Sequence, residues 1–274
     1  MYVISDGLYI LLYYVIGYRK GVVKKNLSIA FPEKTDGERL RIAKDFYHNF
    51  LDTMVEIIKL ISIDEKEFSK RITSNVHVLN DLKGKVPNVA IVCGHFFNWE
   101  IGNLAASRES KFKLLSVYMP IASKPVDKIM YNMRKKFGGI LIPATDFKSH
   151  FLKHVKSEYA LGLIADQNPS DSRNAYWLPF FNKLTPFVKG PENNSKRNNS
   201  AVVFVNSAKP KRGYYQMNYT LVTTDPNGYP EGALTKELIH LIEQSIIKNP
   251  SNYLWSHRRF KHEFKEEEHR SLVV

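Results

Sequence analysis

Between Cys93 and Glu100 the chain reads CGHFFNWE, directly after the apolar run VPNVAIV. A turn that only reversed the chain would use Asn, Asp, Ser or Pro beside its glycine. A histidine, three aromatic rings and a carboxylate are parts for moving a proton. His95 and Glu100 lie five residues apart, about 140° around a continuous helix, so one helix would not bring them together. With His95 in the turn and Glu100 in the first turn of a following helix, the two side chains are expected to meet. Asn98 is then the N-cap, and the helix dipole favours Glu100. A carboxylate on one imidazole nitrogen fixes the tautomer and leaves the other nitrogen as a base. Exposed amides at the helix start are expected to help hold an oxyanion. That assembly suits taking a proton from a hydroxyl that attacks an acyl group.

The spacing alone carries no weight. Nine histidines and 27 acidic residues in 274 positions give roughly one such pair by accident. The chain has two, and the second, His262 with Glu267, lies in the charged stretch KHEFKEEEHR. Cys93 shares a strand face with His95 and invites a reading as an acyl-enzyme nucleophile; a buried strand thiol is the simpler reading. Phe96, Phe97 and Trp99 either line a groove or pack under the turn.

The elements that must position these residues begin at residue 88. NVAIVCG reads as a strand, NWEIGNLAASR as a helix, KLLSVYM as a strand and KPVDKIMYNMRKKFG as an amphipathic helix. GILIP, DFKSHFLKHVKS and YALGLIAD continue as strand, helix and buried strand. This alternation predicts an α/β fold with a mainly parallel sheet flanked by helices. In such sheets ligands bind beyond the carboxyl ends of strands, which is where His95 falls. After Asp166 the sequence predicts a long irregular stretch, then two antiparallel strands in SAVVFVNSA and YYQMNYTLVTT, and a helix in ALTKELIHLIEQSIIKNP. Upstream, residues 36–60 read as one long helix, with FPEKT before it as break and cap. The expected organisation is a membrane-anchoring segment over 1–25, a helical annex over 26–85, the α/β domain over 86–262 and a charged tail over 263–274.

The first eighteen residues, MYVISDGLYILLYYVIGY, are apolar and followed by Arg19, Lys20, Lys24 and Lys25. The basic residues follow the apolar stretch, which excludes a signal peptide. Asp6 and Gly7 interrupt it, making it marginal as a span and better suited to an interfacial anchor with a cytoplasmic basic flank; a core helix is the alternative. Lys plus Arg exceed Asp plus Glu by 40 to 27, a net charge of +13. That sign favours nucleic acid, an anionic membrane surface or acidic proteins. The basic residues are spread along the chain and no nucleic-acid-reading motif is present, so no nucleic-acid partner is expected. A single cysteine excludes an internal disulfide, no Cys/His cluster has zinc spacing, and no metal is expected.

CGHFFNWE resembles the HxxxxE form of the HxxxxD/E motif of glycerolipid acyltransferases. Its aromatic NWE variant resembles the lipid A biosynthesis late acyltransferases, the lauroyl/myristoyl type. MRKKFGGILIP, LIADQNP, WLPFFNKLTPFVKGPE, KRGYY and YLWSHRRFK are similar to further blocks of that family, in the same order. The resemblance covers nearly the whole chain. It implies an inner-membrane enzyme, on the cytoplasmic face, that moves a fatty acyl chain from acyl carrier protein to a hydroxyl of a lipid A precursor, without a cofactor. By the same resemblance His95 is the general base and Glu100 its orienting partner. Arg134 is implied in binding a phosphate or the acyl donor, Asp166 and Gln167 in the acceptor pocket, and Lys189, Glu192 and Arg258 in further substrate contacts. An acyltransferase acting on a glycerophospholipid or aminolipid is the nearest alternative. Two departures stand out. The family's apolar amino-terminal segment is usually longer, and GPENNSKRNNSAVV is more polar than the family's helix at that point.

Overall fold

The apolar runs become the strands of one sheet. The computed structural model describes residues 1–274. Its strands are β1 (Ile72–Ser74), β2 (Val89–Cys93), β3 (Lys113–Tyr118), β4 (Ile140–Pro143), β5 (Tyr159–Ile164), β6 (Ala175–Phe180), β7 (Lys183–Val188), β8 (Ala201–Lys211) and β9 (Tyr214–Thr223). Seven of them form one sheet in the order β1-β9-β8-β2-β5-β3-β4. The pairs β8–β2, β2–β5, β5–β3 and β3–β4 are parallel, while β9 runs antiparallel to β8. Val89, Ala90, Ile91 and Val92 are all buried, as a central parallel strand covered on both faces requires.

The helices are α1 (Tyr2–Tyr9), α2 (Lys20–Ala30), α3 (Asp36–Ser62), α4 (Glu65–Ser69), α5 (His77–Asn80), α6 (Trp99–Glu109), α7 (Lys124–Arg134), α8 (Phe147–Phe151), α9 (Gly190–Arg197), α10 (Ala233–Lys248) and α11 (Glu266–His269). In α3, Thr35 and Glu38 make the reciprocal capping box that the preceding FPEKT supplies. Buried apolar side chains of α2, α3 and α10 cover one face of the sheet together with Phe96, Phe97 and Trp255. Those of α6 and Met133 of α7 cover the other.

Two regions differ from the sequence reading. The irregular stretch after Asp166 contains the β6–β7 hairpin, a separate two-stranded sheet. Its turn is Phe181-Asn182, both at positive φ (48° and 61°), the geometry of a two-residue hairpin turn. The charged tail is docked: the Val274 amide donates to the Trp177 carbonyl (3.2 Å), and the buried His269 ring stacks on Trp177 with centroids 4.3 Å apart.

The amino-terminal segment has two faces. No helix of the chain is long and apolar enough to cross a membrane. α1 continues as a π-helix over Ile10–Ile16 and packs along α3. Ser5 donates to Asp52 (2.7 Å), Tyr2 donates to Glu56 (2.9 Å), and Tyr9 stacks on His48 at 3.6 Å. Arg212 bridges Asp6 and Asp52. On the outward side Val3, Ile4, Leu8, Leu11 and Val15 are exposed, Val3 by 84%. Removing residues 1–18 would uncover Tyr47 and take one hydrogen bond from each of Glu56 and Asp52, which keep Tyr215 and Arg212 as donors; each lost bond contributes about 0.5–1.5 kcal/mol. The truncated chain is therefore expected to melt several degrees below the full chain. An unchanged melting temperature would show that the segment is only a peripheral anchor.

Candidate active site

The parallel register of β2 and β5 builds the site. Cys93 lies opposite Ile164, and the Ala165 amide donates to the Cys93 carbonyl at 3.0 Å. Two residues beyond each strand end, His95 therefore faces Asp166. The Asp166 carboxylate takes His95 twice: Oδ1 lies 2.8 Å from the ring Nδ1, and Oδ2 accepts the His95 backbone amide at 3.1 Å. Asp166 is fully buried, whereas the His95 side chain keeps 19% of its surface exposed. The His95 Nε2 has no hydrogen-bond partner, so it is the nitrogen available for proton transfer. Gly94 permits the corner, because a Cβ there would meet Phe96 at 3.1 Å and Ile242 of α10 at 3.2 Å.

This geometry corrects the expected pairing of His95 with Glu100. Glu100 is buried in the first turn of α6, but its carboxylate binds Arg134 of α7, with three contacts of 2.6, 2.9 and 3.1 Å. The guanidinium is the nearer cation, and a bidentate fork satisfies a buried carboxylate better than one imidazole could. The helix-start amides are also committed. The Asn98 side chain caps α6 by accepting from the amides of Glu100 and Ile101, so they do not serve as oxyanion donors. Arg134 keeps its Nη1 without a partner on a cavity wall.

The cavity has a volume of about 330 Å³, and Gly94 and Phe96, on either side of His95, are among its lining residues. Ile91, Leu114, Leu141, Leu163, Met217 and Tyr219 line its interior, and Tyr118, Met119, Glu100 and Arg134 contribute to its wall. A mostly apolar hollow with one ion pair fits a hydrocarbon chain attached to a polar reacting group.

Charge is tuned around His95. Burial alone would push the imidazole pKa down, but the Asp166 charge and hydrogen bond outweigh it and leave it raised; the Arg259 guanidinium opposes them. Burial would push the Asp166 carboxyl up, yet the His95 charge and its ring and backbone hydrogen bonds hold it well below the carboxylate range. Burial, then the charge on His95, pushes His257 down to about 4. Its ring stands 5.8 Å from that of His95 and is neutral near pH 7. Burial followed by the Asp166 charge pushes the Cys93 thiol up to about 12. A protonated thiol is a poor nucleophile, which leaves Cys93 as cavity wall.

Arg259, for which the sequence left a phosphate site and an aromatic-stacked structural role open, is 1% exposed. It donates to Asn168 and to the Pro186 carbonyl and lies 4.1 Å over the Phe187 ring. No carboxylate pairs with it directly, so its charge acts on the site at a distance. Its neighbour Arg258 is exposed.

The remaining expected contacts divide. Gln167 and Arg258 are exposed near this corner, the Arg258 carbonyl accepting from Asn168 at 2.8 Å. Lys189 stands apart from the cavity, 4.4 Å over Tyr176 and 3.8 Å from Glu231. Glu192 is corrected from substrate contact to scaffold. It is fully buried and accepts from Lys196 (2.7 Å), the Gly232 amide (2.9 Å), and the amide (2.9 Å) and hydroxyl (2.6 Å) of Thr235. It thereby joins α9 to the start of α10, which is how the polar stretch GPENNSKR folds as a helix. Burial would raise the Glu192 pKa, but these donors lower it. The stability it contributes is present above pH 4.5 and fades as pH falls through its depressed folded value. Glu192→Gln is expected to cost about 1–3 kcal/mol in denaturant melts at neutral pH, with the gap closing in acid. Equal stability at pH 7 would remove the proposed structural role.

A bacterial lipid A biosynthesis acyltransferase family profile matches residues 2–262 of this chain. The chain belongs to that family of acyltransferases. It is 24% identical over 166 residues to lipid A biosynthesis acyltransferase 2 of Shigella flexneri, an alignment covering 60% of this chain and 52% of that protein. The chain thus spans about half the length of that relative. It is 23% identical over 251 residues to the lipid A biosynthesis palmitoleoyltransferase of Escherichia coli K12, covering 89% of this chain and 79% of the other. The lipid A biosynthesis acyltransferase of Haemophilus influenzae is 22% identical over 251 residues, with 89% and 78% covered.

Proposed function

We propose that this family member transfers a fatty acyl group from an acyl carrier protein thioester to a hydroxyl of a lipid A precursor. The observation that carries this reading is the His95–Asp166 pair, with Nε2 free, beside an apolar cavity whose wall holds Glu100 and Arg134. The acyl chain lies in the cavity and its thioester carbonyl stands at the His95 end. His95 Nε2 takes the proton of the acceptor hydroxyl as its oxygen attacks the carbonyl carbon. Asp166 holds the imidazole with Nδ1 protonated and stabilises the imidazolium. The carbonyl oxygen gains negative charge, and the free Nη1 of Arg134, held in place by Glu100, receives it. When the intermediate collapses, the carbon–sulfur bond breaks and the imidazolium returns its proton to the departing sulfur. The products are an ester and the free carrier thiol.

Arg258 and Gln167, exposed beyond the corner, meet the polar headgroup of the acceptor. The outward apolar face of α1 and its π-helical continuation rests on the cytoplasmic surface of the inner membrane, with Arg19, Lys20, Lys24 and Lys25 at the anionic headgroups. Expression of the full chain in a lipid A-producing bacterium that lacks its own late acyltransferase tests the assignment. Mass spectrometry is expected to show lipid A heavier by one acyl chain. Unchanged lipid A beside a newly acylated glycerophospholipid or aminolipid would transfer the assignment to that acceptor.

A further inference from the structure

Five of the large exposed apolar side chains outside the amino-terminal segment lie on two elements that meet, the end of α3 and the stretch from Met119 through α7. Ile58 (67% exposed) and Ile61 (45%) end α3; Met119 (64%), Val126 (46%) and Ile129 (48%) follow on β3's exit and α7. Met119 is itself a cavity-lining residue, and α7 carries Arg134 in the cavity wall. The Lys136 ammonium, just past α7, joins the two ends by donating to the carbonyls of Leu60, Ile61 and Ile63 at 2.7, 2.9 and 2.8 Å.

Positive charge predominates on this surface, with the exposed Asp64 just past α3 as a carboxylate that acts on Lys136. Lys59, Lys124, Lys128 and Lys135 are exposed, and none has a carboxylate within 4.0 Å. The carboxylate within α7, Asp127, is turned inward to accept the Ile121 amide at 2.8 Å. Apolar side chains set among unpaired lysines on a helix of this kind match the boundary between anionic headgroups and acyl chains.

We propose that the outer face of α7, with the end of α3, is a second membrane contact that seats the cavity mouth against an anionic bilayer surface. The proposal rests on the membrane reading above and adds to it a place and an orientation. A lipid acceptor then offers its hydroxyl to His95 while its own chains stay in the bilayer.

The test uses the full chain and vesicles of mixed zwitterionic and anionic phospholipid. The double variant Val126→Glu/Ile129→Glu changes two exposed positions outside the catalytic corner, so its circular dichroism is expected to match wild type. Its vesicle affinity is expected to fall on the order of tenfold or more, since two apolar side chains lose their burial. Ile247→Glu and Leu221→Glu, also exposed apolar positions (48% and 42%), add the same charge elsewhere and are expected to bind normally. Amide hydrogen exchange over residues 124–131 is expected to slow when vesicles are added to wild type. A wild-type chain that binds no vesicles would overturn the membrane reading itself. Wild-type binding that survives the double variant, with exchange in α7 unchanged, would overturn this contact alone. So would a variant that keeps vesicle affinity and loses affinity for acyl carrier protein, which would make α7 a protein-docking face.

Discussion

His95→Ala is expected to lose at least about a hundredfold in acyl transfer while its circular dichroism stays that of the wild type. General-base catalysis contributes about 10²–10⁴ in rate, or roughly 3–5 kcal/mol of barrier. The side chain keeps an exposed edge and its Nε2 bonds to nothing, so its removal breaks one side-chain hydrogen bond, that with Asp166. His262 and Glu267 repeat the same sequence spacing and serve as controls. Glu267 is exposed, and the His262 Nε2 has no partner to lose. Both alanine variants are expected to keep activity, with stability changes near 0.5 kcal/mol at Glu267. A folded His95→Ala protein with full transfer would remove the mechanism.

Asp166→Asn is expected to cost as much, by a different route. Asp166 Oδ2 accepts the His95 backbone amide, whose hydrogen cannot be relocated. The asparagine oxygen must stay on that amide, which turns its NH₂ group toward Nδ1. The imidazole then carries its proton on Nε2, where the base is needed. A wrong tautomer of this kind costs about 10⁴ in rate where it has been measured in a serine protease. The pH dependence supplies a second readout. Only neutral His95 accepts a proton, and Asp166 raises its pKa, so the wild-type acid limb is expected above 6.5. Asp166→Asn moves that limb to lower pH, because the charge that favours the imidazolium is gone. Glu100→Gln, which touches Arg134 and not the imidazole, is expected to lower the rate and leave the limb in place. A limb that moved with Glu100 and not with Asp166 would restore the pairing first read from the sequence.

The swap of partners shows what a sequence exposes and what it hides. VAIVC and YALGLI announce strands because both faces of each are buried, and their polar ends announce a corner. That His95 meets Asp166 depends on β5 lying beside β2, and β5 is third after it in the chain. Sequence distance favoured Glu100; sheet order delivered an aspartate 71 residues away. The resemblance had marked Asp166 as a site residue of the acceptor pocket, not as the partner of the imidazole. The β6–β7 hairpin stayed hidden for another reason. Pro179 and Pro186 sit inside its strands, and Phe181 at positive φ gives no turn signal of the Asn-Gly kind. The docked tail escaped because composition describes a charged segment as solvated, whereas burial is decided by Trp177 from elsewhere in the chain; for Arg259 the sequence offered aromatic stacking but could not say that the ring is Phe187.

Purified full-length chain, incubated in mixed micelles with a series of acyl carrier protein thioesters and a lipid A precursor, gives the most direct test. The account predicts one new ester on the precursor, seen as a single acyl mass increment, appearing with stoichiometric release of carrier thiol and absent with His95→Ala. A folded wild-type chain that leaves the precursor unacylated with every thioester, or a His95→Ala chain that acylates it at the wild-type rate, would contradict it.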